Sequence, residues 1–247
     1  MQTTYRIIDV ETTGLDTEQA EVVEMAYKDW PEDWPEGWRM QSLYRPSHPI
    51  PAEARAIHHI TDDQVAGREP FTPAEIFPGG EVPPGAVPVA HNVPFDAAAT
   101  GTESWPWLDT RRLAMHLFPD APRHSNQVLR YYLDDLGLLP GLPEEAADEF
   151  AELMPHRALA DVYVTWGIFT ALIEEAEEQG YDPDQPEQLL ALAARPVELK
   201  TVPFGKHFGK PWDEVPTDYL LWMRGKEWDT DVAHTRDRAL ERRQAGS

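Results

Sequence analysis

The residues Tyr5-Arg6-Ile7-Ile8-Asp9-Val10-Glu11-Thr12-Thr13-Gly14-Leu15 constrain this chain more than any other stretch. Their apolar, β-branched run favours an extended strand, in which side chains two apart share a face. Asp9 and Glu11 therefore project together, while Ile8 and Val10 pack on the opposite face. Two carboxylates ending an apolar strand repel each other unless a cation neutralises them. Oxygen-only ligands favour a hard ion such as Mg²⁺ or Mn²⁺. Thr12, Thr13 and Gly14 then break the strand.

A strand needs partners, and the chain supplies them. Residues 21–30 read as a second strand and 38–45 as a third, joined by a Trp-rich acidic turn over 30–38. The short spacing predicts an antiparallel meander. Short helices are expected over 51–58 and 61–65, the second opened by Thr61 as its N-cap. Residues 70–88 carry six prolines and three glycines, which predicts a loop-rich passage. A short apolar strand over 86–90 delivers His91-Asn92-Val93-Pro94-Phe95-Asp96, and a helix begins near Pro94 with Asp96 in its first turn. A last strand over 107–109 leads into a helix through Leu117 and another over 125–136. Residues 137–155 are acidic and proline-punctuated, with a helical turn or two at the centre. From 159 to 178, Leu159, Val162, Tyr163, Trp166, Phe169, Leu172 and Ile173 keep helical spacing. Strands first, then strand–helix alternation, predict an α/β sheet covered by helices.

The chain has 247 residues, room for one sizeable domain and an appendage. Residues 1–178 are expected to form the main domain and 179–198 a helix-bearing linker. A small accessory unit is expected over 199–247, where Phe-Gly-Lys recurs at Phe204 and Phe208. If residues 204–210 were extended, Lys206 and Lys210 would share a face and reach phosphates; as hairpin lysines they would only meet water. The absence of cysteine excludes disulfides and thiolate metal sites and suits a cytoplasmic protein. No run of about 18 apolar residues is present, so no membrane span is expected, and no signal peptide is evident. A net charge of −23 is unusual for a protein that touches nucleic acid. Residues 197–247 hold nine Lys and Arg against nine Asp and Glu, so the excess acid lies before them.

Further acids stand in special settings: Asp96 opens a helix after His91-Asn92, and Asp161 lies early in the long helix, five residues after His156. Positions five apart on a helix are about 140° out of phase. His156 is thus expected at or before the helix mouth, near the acids without being a ligand. The ordered set Asp9-x-Glu11-Thr12-x-Gly14, His91-Asn92-x-x-Phe95-Asp96 and His156-x4-Asp161 resembles the three motifs of the DEDDh 3′–5′ exonucleases, the DnaQ-like branch of the ribonuclease H-like fold. The histidine matches that branch; in the tyrosine branch a Tyr stands four before the last Asp, where this chain has Arg157. The likeness runs nearly end to end, through Ala56-Ile57-His58-x-Ile60-Thr61 to the C-terminal Phe-Gly-Lys unit.

The resemblance implies a mixed sheet of five strands, three antiparallel and then two parallel, flanked by helices, with a small C-terminal hairpin and helix unit. It implies two Mg²⁺ ions, replaceable by Mn²⁺, bridged by Asp9, with Glu11 and Asp161 completing one site and Asp96 helping to hold the other. His156 would take a proton from the attacking water and 5′-mononucleotides would leave a DNA 3′ end. Thr12, Thr13 and Gly14 would meet the terminal sugar and phosphate, and Leu15, Ile60 and Phe95 the last bases. Core packing is the competing reading for Ile60 and Phe95. His59 is favoured over His58 as a contact, and Asn92 either meets substrate or caps the Asp96 helix. Two other readings stand beside a DNA exonuclease: an exoribonuclease, since the motifs do not read the 2′-OH, and a non-catalytic recruiting module. A replication or repair protein is a further partner that the C-terminal unit could engage.

Overall fold

A computed structural model of the chain describes residues 2–31, 39–141 and 156–245. The turn over 30–38 and the helical turn within 137–155 lie largely outside the described residues. The chain divides into two units, residues 1–193 and 194–247.

In the first unit β1 (Thr4–Thr12) is the central strand. β2 (Val22–Trp30) pairs antiparallel with one edge of it, and β3 (Arg39–Leu43) pairs antiparallel with β2. On the other edge β4 (Ala86–Ala90) runs parallel to β1, and β5 (Leu108–Asp109) parallel to β4, giving the order β3-β2-β1-β4-β5. This is the expected set of three antiparallel strands followed by two parallel ones.

Strand alternation sorts the two faces. Tyr5 and Ile7 of β1, Ala26 of β2 and Val89 of β4 join one core, together with Val162, Phe169 and Leu172 of the long helix that the apolar spacing predicts. That helix, α6 (Ala158–Glu178), buries thirteen of its 21 residues. Each large apolar side chain taken fully from water contributes about 1.5–3 kcal/mol. Phe169 meets the rings of Tyr5 and Trp30 at centroid distances of 5.1 and 5.6 Å, seating the middle of α6 on the sheet. The register follows: because Asp9 and Glu11 share a face with Tyr5 and Ile7, α6 must pass over both carboxylates.

The opposite face is covered by other parts of the chain. Ile8 and Val10 pack there with Met25, Tyr27 and the loop residues Ile76 and Phe77. The proline-rich stretch forms two 3-10 turns, Pro73–Glu75 and Pro78–Gly80. Three more helices, α3 (Val93–Thr100), α4 (Thr110–Leu117) and α5 (Asn126–Asp135), follow β4 and β5 as expected. The short α1 (Ala52–His58) and α2 (Asp62–Val65) bury Ala54 and Val65 with Val23, Ile50 and Ile60 in a satellite core.

Residues 179–198, expected as a linker, hold α7 (Pro186–Ala194). Its Leu189, Leu192 and Ala193 lie in the same core as α6, so the helix belongs to the first unit. The second unit has a core of its own, built from Val202, Trp212, Leu220, Met223, Val232 and Leu240 around α8 (Thr217–Met223) and α9 (Thr230–Ala245). Residues 204–210 are not extended: a 3-10 turn over Gly205–His207 interrupts them, within a loop closed by a single antiparallel bridge, Thr201 to Pro211. Glycine is required at the turn, where Gly205 and Gly209 have φ of 62° and 77°.

Candidate active site

Each of the three motifs places its acid where an element begins or ends. Asp9 and Glu11 close β1, and Asp161 sits in the first turn of α6, where the helix dipole favours negative charge. Carboxylate oxygens of Asp9, Glu11 and Asp161 all lie within 4.8 Å of one another. Asp96 lies in the first turn of α3 and opens onto the same cleft, a cavity of about 370 Å³ that Asn92 and His156 also line. Helix α3 starts where it does because Pro94 suits a first turn and the Asp109 carboxylate accepts from Val93 N at 3.2 Å. The other oxygen of Asp109 accepts from Arg112 N at 3.0 Å, so one side chain caps both α3 and α4. Asn92 stands at the N-cap position of α3 without a side-chain capping bond and faces the cleft instead.

His156 is exposed, two residues ahead of α6, as its five-residue offset from Asp161 predicts. Its φ of 60° is in the left-handed region, uncommon for a residue with a Cβ. His91, the histidine of the second motif, does different work. Its Nδ1 lies 2.9 Å from Thr110 Oγ1 and its Nε2 3.0 Å from the His124 carbonyl. Burial pushes its pKa down to about 4. It is thus a neutral strut tying the end of β4 to α4 and the following loop.

The acids are held against their own ionisation. Burial, then the charges of Asp161, Asp96 and Glu11, drives the Asp9 pKa well above the ordinary carboxylate range. Glu11 rises to about 8, through burial and then the charges of Asp161 and Glu24, with Arg157 opposing. Asp96 also rises to about 8, through burial and then Asp109, with backbone hydrogen bonds opposing. Asp161 is raised by burial, while His156 and a hydrogen bond from Gln127 pull it down. An oxygen-only donor set of this density fits divalent cations, whose charge would offset the repulsion.

The sign of the linkage gives an expected result. For a carboxyl whose folded pKa is raised, the folded state holds more protons than the unfolded one between the two values, so stability falls as pH rises through that window. With Glu11 and Asp96 moving from 4.5 and 3.8 to about 8, metal-free protein loses stability from about pH 4 to 8 and levels off above. Melting temperatures in EDTA and in Mg²⁺ across this range check it: stabilisation by the ion should grow toward pH 8. A Tm indifferent to Mg²⁺ at every pH would remove the cluster as a metal site.

Two residues outside the motifs fix the third acid in place. Glu24 of β2 stands opposite Glu11 in the β1–β2 register, and its side chain is fully buried. Its carboxylate accepts from Arg157 Nε at 2.9 Å, from Ala158 N at 3.0 Å and from Gln41 Nε2 at 2.7 Å. The first turn of α6 is thereby anchored to the sheet beside Asp9 and Glu11, with His156 adjacent. An acid inside the apolar run Val22-Val23-Glu24-Met25-Ala26 was the sequence signal for this anchor. Gln127, whose hydrogen bond lowers the Asp161 pKa, carries no comparable signal in the sequence.

A second cavity, of about 700 Å³, adjoins the cleft and shares Val10, Glu11 and Phe95 with it. Its rim carries Leu15, 89% exposed, and Ile57, 52% exposed. Thr12, Thr13 and Gly14 line it, and the two threonines are tied into local hydrogen bonds. Thr12 Oγ1 donates to the Gly14 carbonyl at 2.6 Å; Thr13 Oγ1 accepts from Glu21 N at 3.0 Å, and Thr13 N donates to the Glu21 carbonyl at 2.9 Å. These bonds shape the loop that presents Leu15. One expected contact is corrected: Ile60 is fully buried in the satellite core, so it cannot stack on a base. His59 is the exposed, left-handed C-cap residue of α1, next to Ile57 and His58, which line the cavity. His58 Nδ1 accepts from Ile60 N at 3.0 Å, and burial lowers its pKa.

Comparison with known proteins gives the family. Residues 7–169 match the exonuclease family RNase_T, which covers well over half of the chain. The chain belongs to this exonuclease family. It is a 3′–5′ exonuclease of the DnaQ-like type. It is 34% identical over 226 residues to exodeoxyribonuclease 10 of Escherichia coli K12, covering 88% of this chain and 89% of that protein. Identity to the DNA polymerase III subunit epsilon of Treponema pallidum is 30% over 188 residues, 72% of this chain and 80% of the relative. Among solved structures, exonuclease X in complex with 5′ overhanging duplex DNA superposes with a TM-score of 0.56 at 30% identity, covering 77% of this chain and 99% of that one. Escherichia coli exonuclease I with a dT13 oligonucleotide shares the fold, at a TM-score of 0.54 and 17% identity over 72% of this chain and 42% of its own. Among the described residues no helix is long and apolar enough to cross a membrane.

Proposed function

We propose that this chain is an exodeoxyribonuclease that hydrolyses the last phosphodiester at DNA 3′ ends and releases 5′-mononucleotides. The observation that carries the reading is the convergence of Asp9, Glu11 and Asp161 within 4.8 Å, with Asp96 and His156 on the same cleft. Asp9, Glu11 and Asp161 would hold one Mg²⁺, and Asp9 with Asp96 a second; Mn²⁺ would substitute. Two such ions, when bound, clamp the attacking and leaving oxygens of an in-line displacement. His156, exposed at the mouth of α6, accepts the proton of the attacking water. Glu24 and Arg157 orient the turn that carries it. Phe95 and the Leu15 rim offer apolar surface to the terminal base, and Asn92 a polar contact.

The names of its relatives favour deoxyribose, and the protein is expected to work in the cytoplasm. The test is competition between matched DNA and RNA strands with Mg²⁺ present. Nucleotide release from DNA at least about tenfold faster supports the reading; faster release from RNA would make the enzyme an exoribonuclease, and none from either would favour a recruiting module.

A further inference from the structure

Five arginines of the second unit find partners within it. Arg224 and Arg236 pair with Asp237, Arg238 with Glu241, and Arg242 with Glu198 and Asp213, while Arg243 donates to the carbonyls of Val215 and Trp212. Two of its lysines are placed differently. Lys206 Nζ lies 4.8 Å from the Tyr219 ring centroid, and Lys226 Nζ lies 5.9 Å from that of Trp222. Tyr219 and Trp222, three apart on α8, stack at 5.2 Å with 30° between their planes. The four are successive neighbours, cation, ring, ring, cation; Lys206, Tyr219 and Trp222 line a shallow cavity of about 410 Å³ together with Asp218, and Lys226 stands beside Trp222. Trp222 is 52% exposed, and Phe208, two residues beyond Lys206, is 74% exposed.

Exposed aromatic planes flanked by ammonium groups match single-stranded nucleic acid, whose bases stack on rings while its phosphates seek cations. Placement strengthens the match. The chain carries −23 overall and only five lysines, yet two of them border this stack. We propose that the face formed by Lys206, Tyr219, Trp222 and Lys226 binds a single strand of DNA, with a base on Trp222 and phosphates at the two lysines. This binding requires none of the chemistry of the carboxylate cluster.

The test uses the full chain in EDTA, so that affinity is read without hydrolysis, with a fluorescently labelled oligothymidylate and an abasic strand of equal length. Trp222→Ala should weaken oligothymidylate about tenfold or more and leave the abasic strand unchanged, and Trp222→Phe should restore most of the loss. The Lys206→Glu, Lys226→Glu pair should weaken both strands and lower the slope of log affinity against log salt by about 1.4. All four side chains are solvent-facing or half-buried, and an unchanged Tm verifies that each variant folds. Equal affinity for oligothymidylate in wild type and Trp222→Ala would overturn the proposal. So would equal losses on the two strands, or indifference to every variant, the result expected if the face binds protein instead. Because hydrolysis is not measured, a failure here leaves the exonuclease reading standing, and the converse holds too.

Discussion

His156→Gly should lower nucleotide release by about 10²–10⁴-fold, the range typical of a positioned general base, while leaving stability unchanged or slightly higher. The two effects have opposite signs for one reason. At φ of 60° the histidine holds a left-handed conformation that glycine adopts without strain, so the backbone welcomes the substitution that the chemistry does not. Release kinetics at saturating DNA, paired with calorimetry, check both halves. A variant with wild-type turnover would strip His156 of its role as base, and one that melts many degrees lower would make it structural.

Arg157→Ala should produce the largest loss of stability at the site, about 3–5 kcal/mol, because it leaves the Glu24 carboxylate fully buried without its cation. In a unit of this size that corresponds to a fall of about 10 °C in Tm. The loss also reaches the chemistry, since Arg157 is a cation that holds the Glu11 pKa down. More Mg²⁺ should be needed for half-maximal activity, and the increase should be larger at pH 6 than at pH 9. Adding Glu24→Gln in the same background should recover part of the stability, as the unpaired charge is removed, though not the anchoring of α6. If single and double variants melt together with wild type, the pair does not hold the helix start.

Much of this arrangement was legible in the sequence because its signals are local. Alternation in Tyr5 to Glu11 sets which face the two acids share, and the periodicity from Leu159 to Ile173 supplies the helix that brings Asp161 over them. The five-residue interval from His156 to Asp161 was enough to put the histidine outside the helix. What could not be read depends on pairing across long separations. Glu24 and Arg157 are 133 residues apart, and only the fold reveals that they meet. Ile60 was misplaced for a related reason: an apolar residue beside a motif looks alike whether it faces a substrate or a satellite core, and burial decides. The helix expected in the linker over 179–198 is present as α7, and what its flanking prolines did not foretell is that Leu189 and Leu192 join the α6 core. In the C-terminal unit, a repeat of Phe-Gly-Lys carries no register signal strong enough to foretell the 3-10 turn at Gly205.

The central claim, that the clustered carboxylates drive hydrolysis from the 3′ end, is tested most directly with one DNA strand labelled at its 5′ end. Wild-type protein and Asp161→Ala are compared in Mg²⁺ and in EDTA. The account predicts a ladder that shortens one nucleotide at a time from the 3′ end with wild-type protein in Mg²⁺, and intact strand in EDTA and with Asp161→Ala. Label released at once as a mononucleotide, or a ladder that persists in the variant, would contradict it.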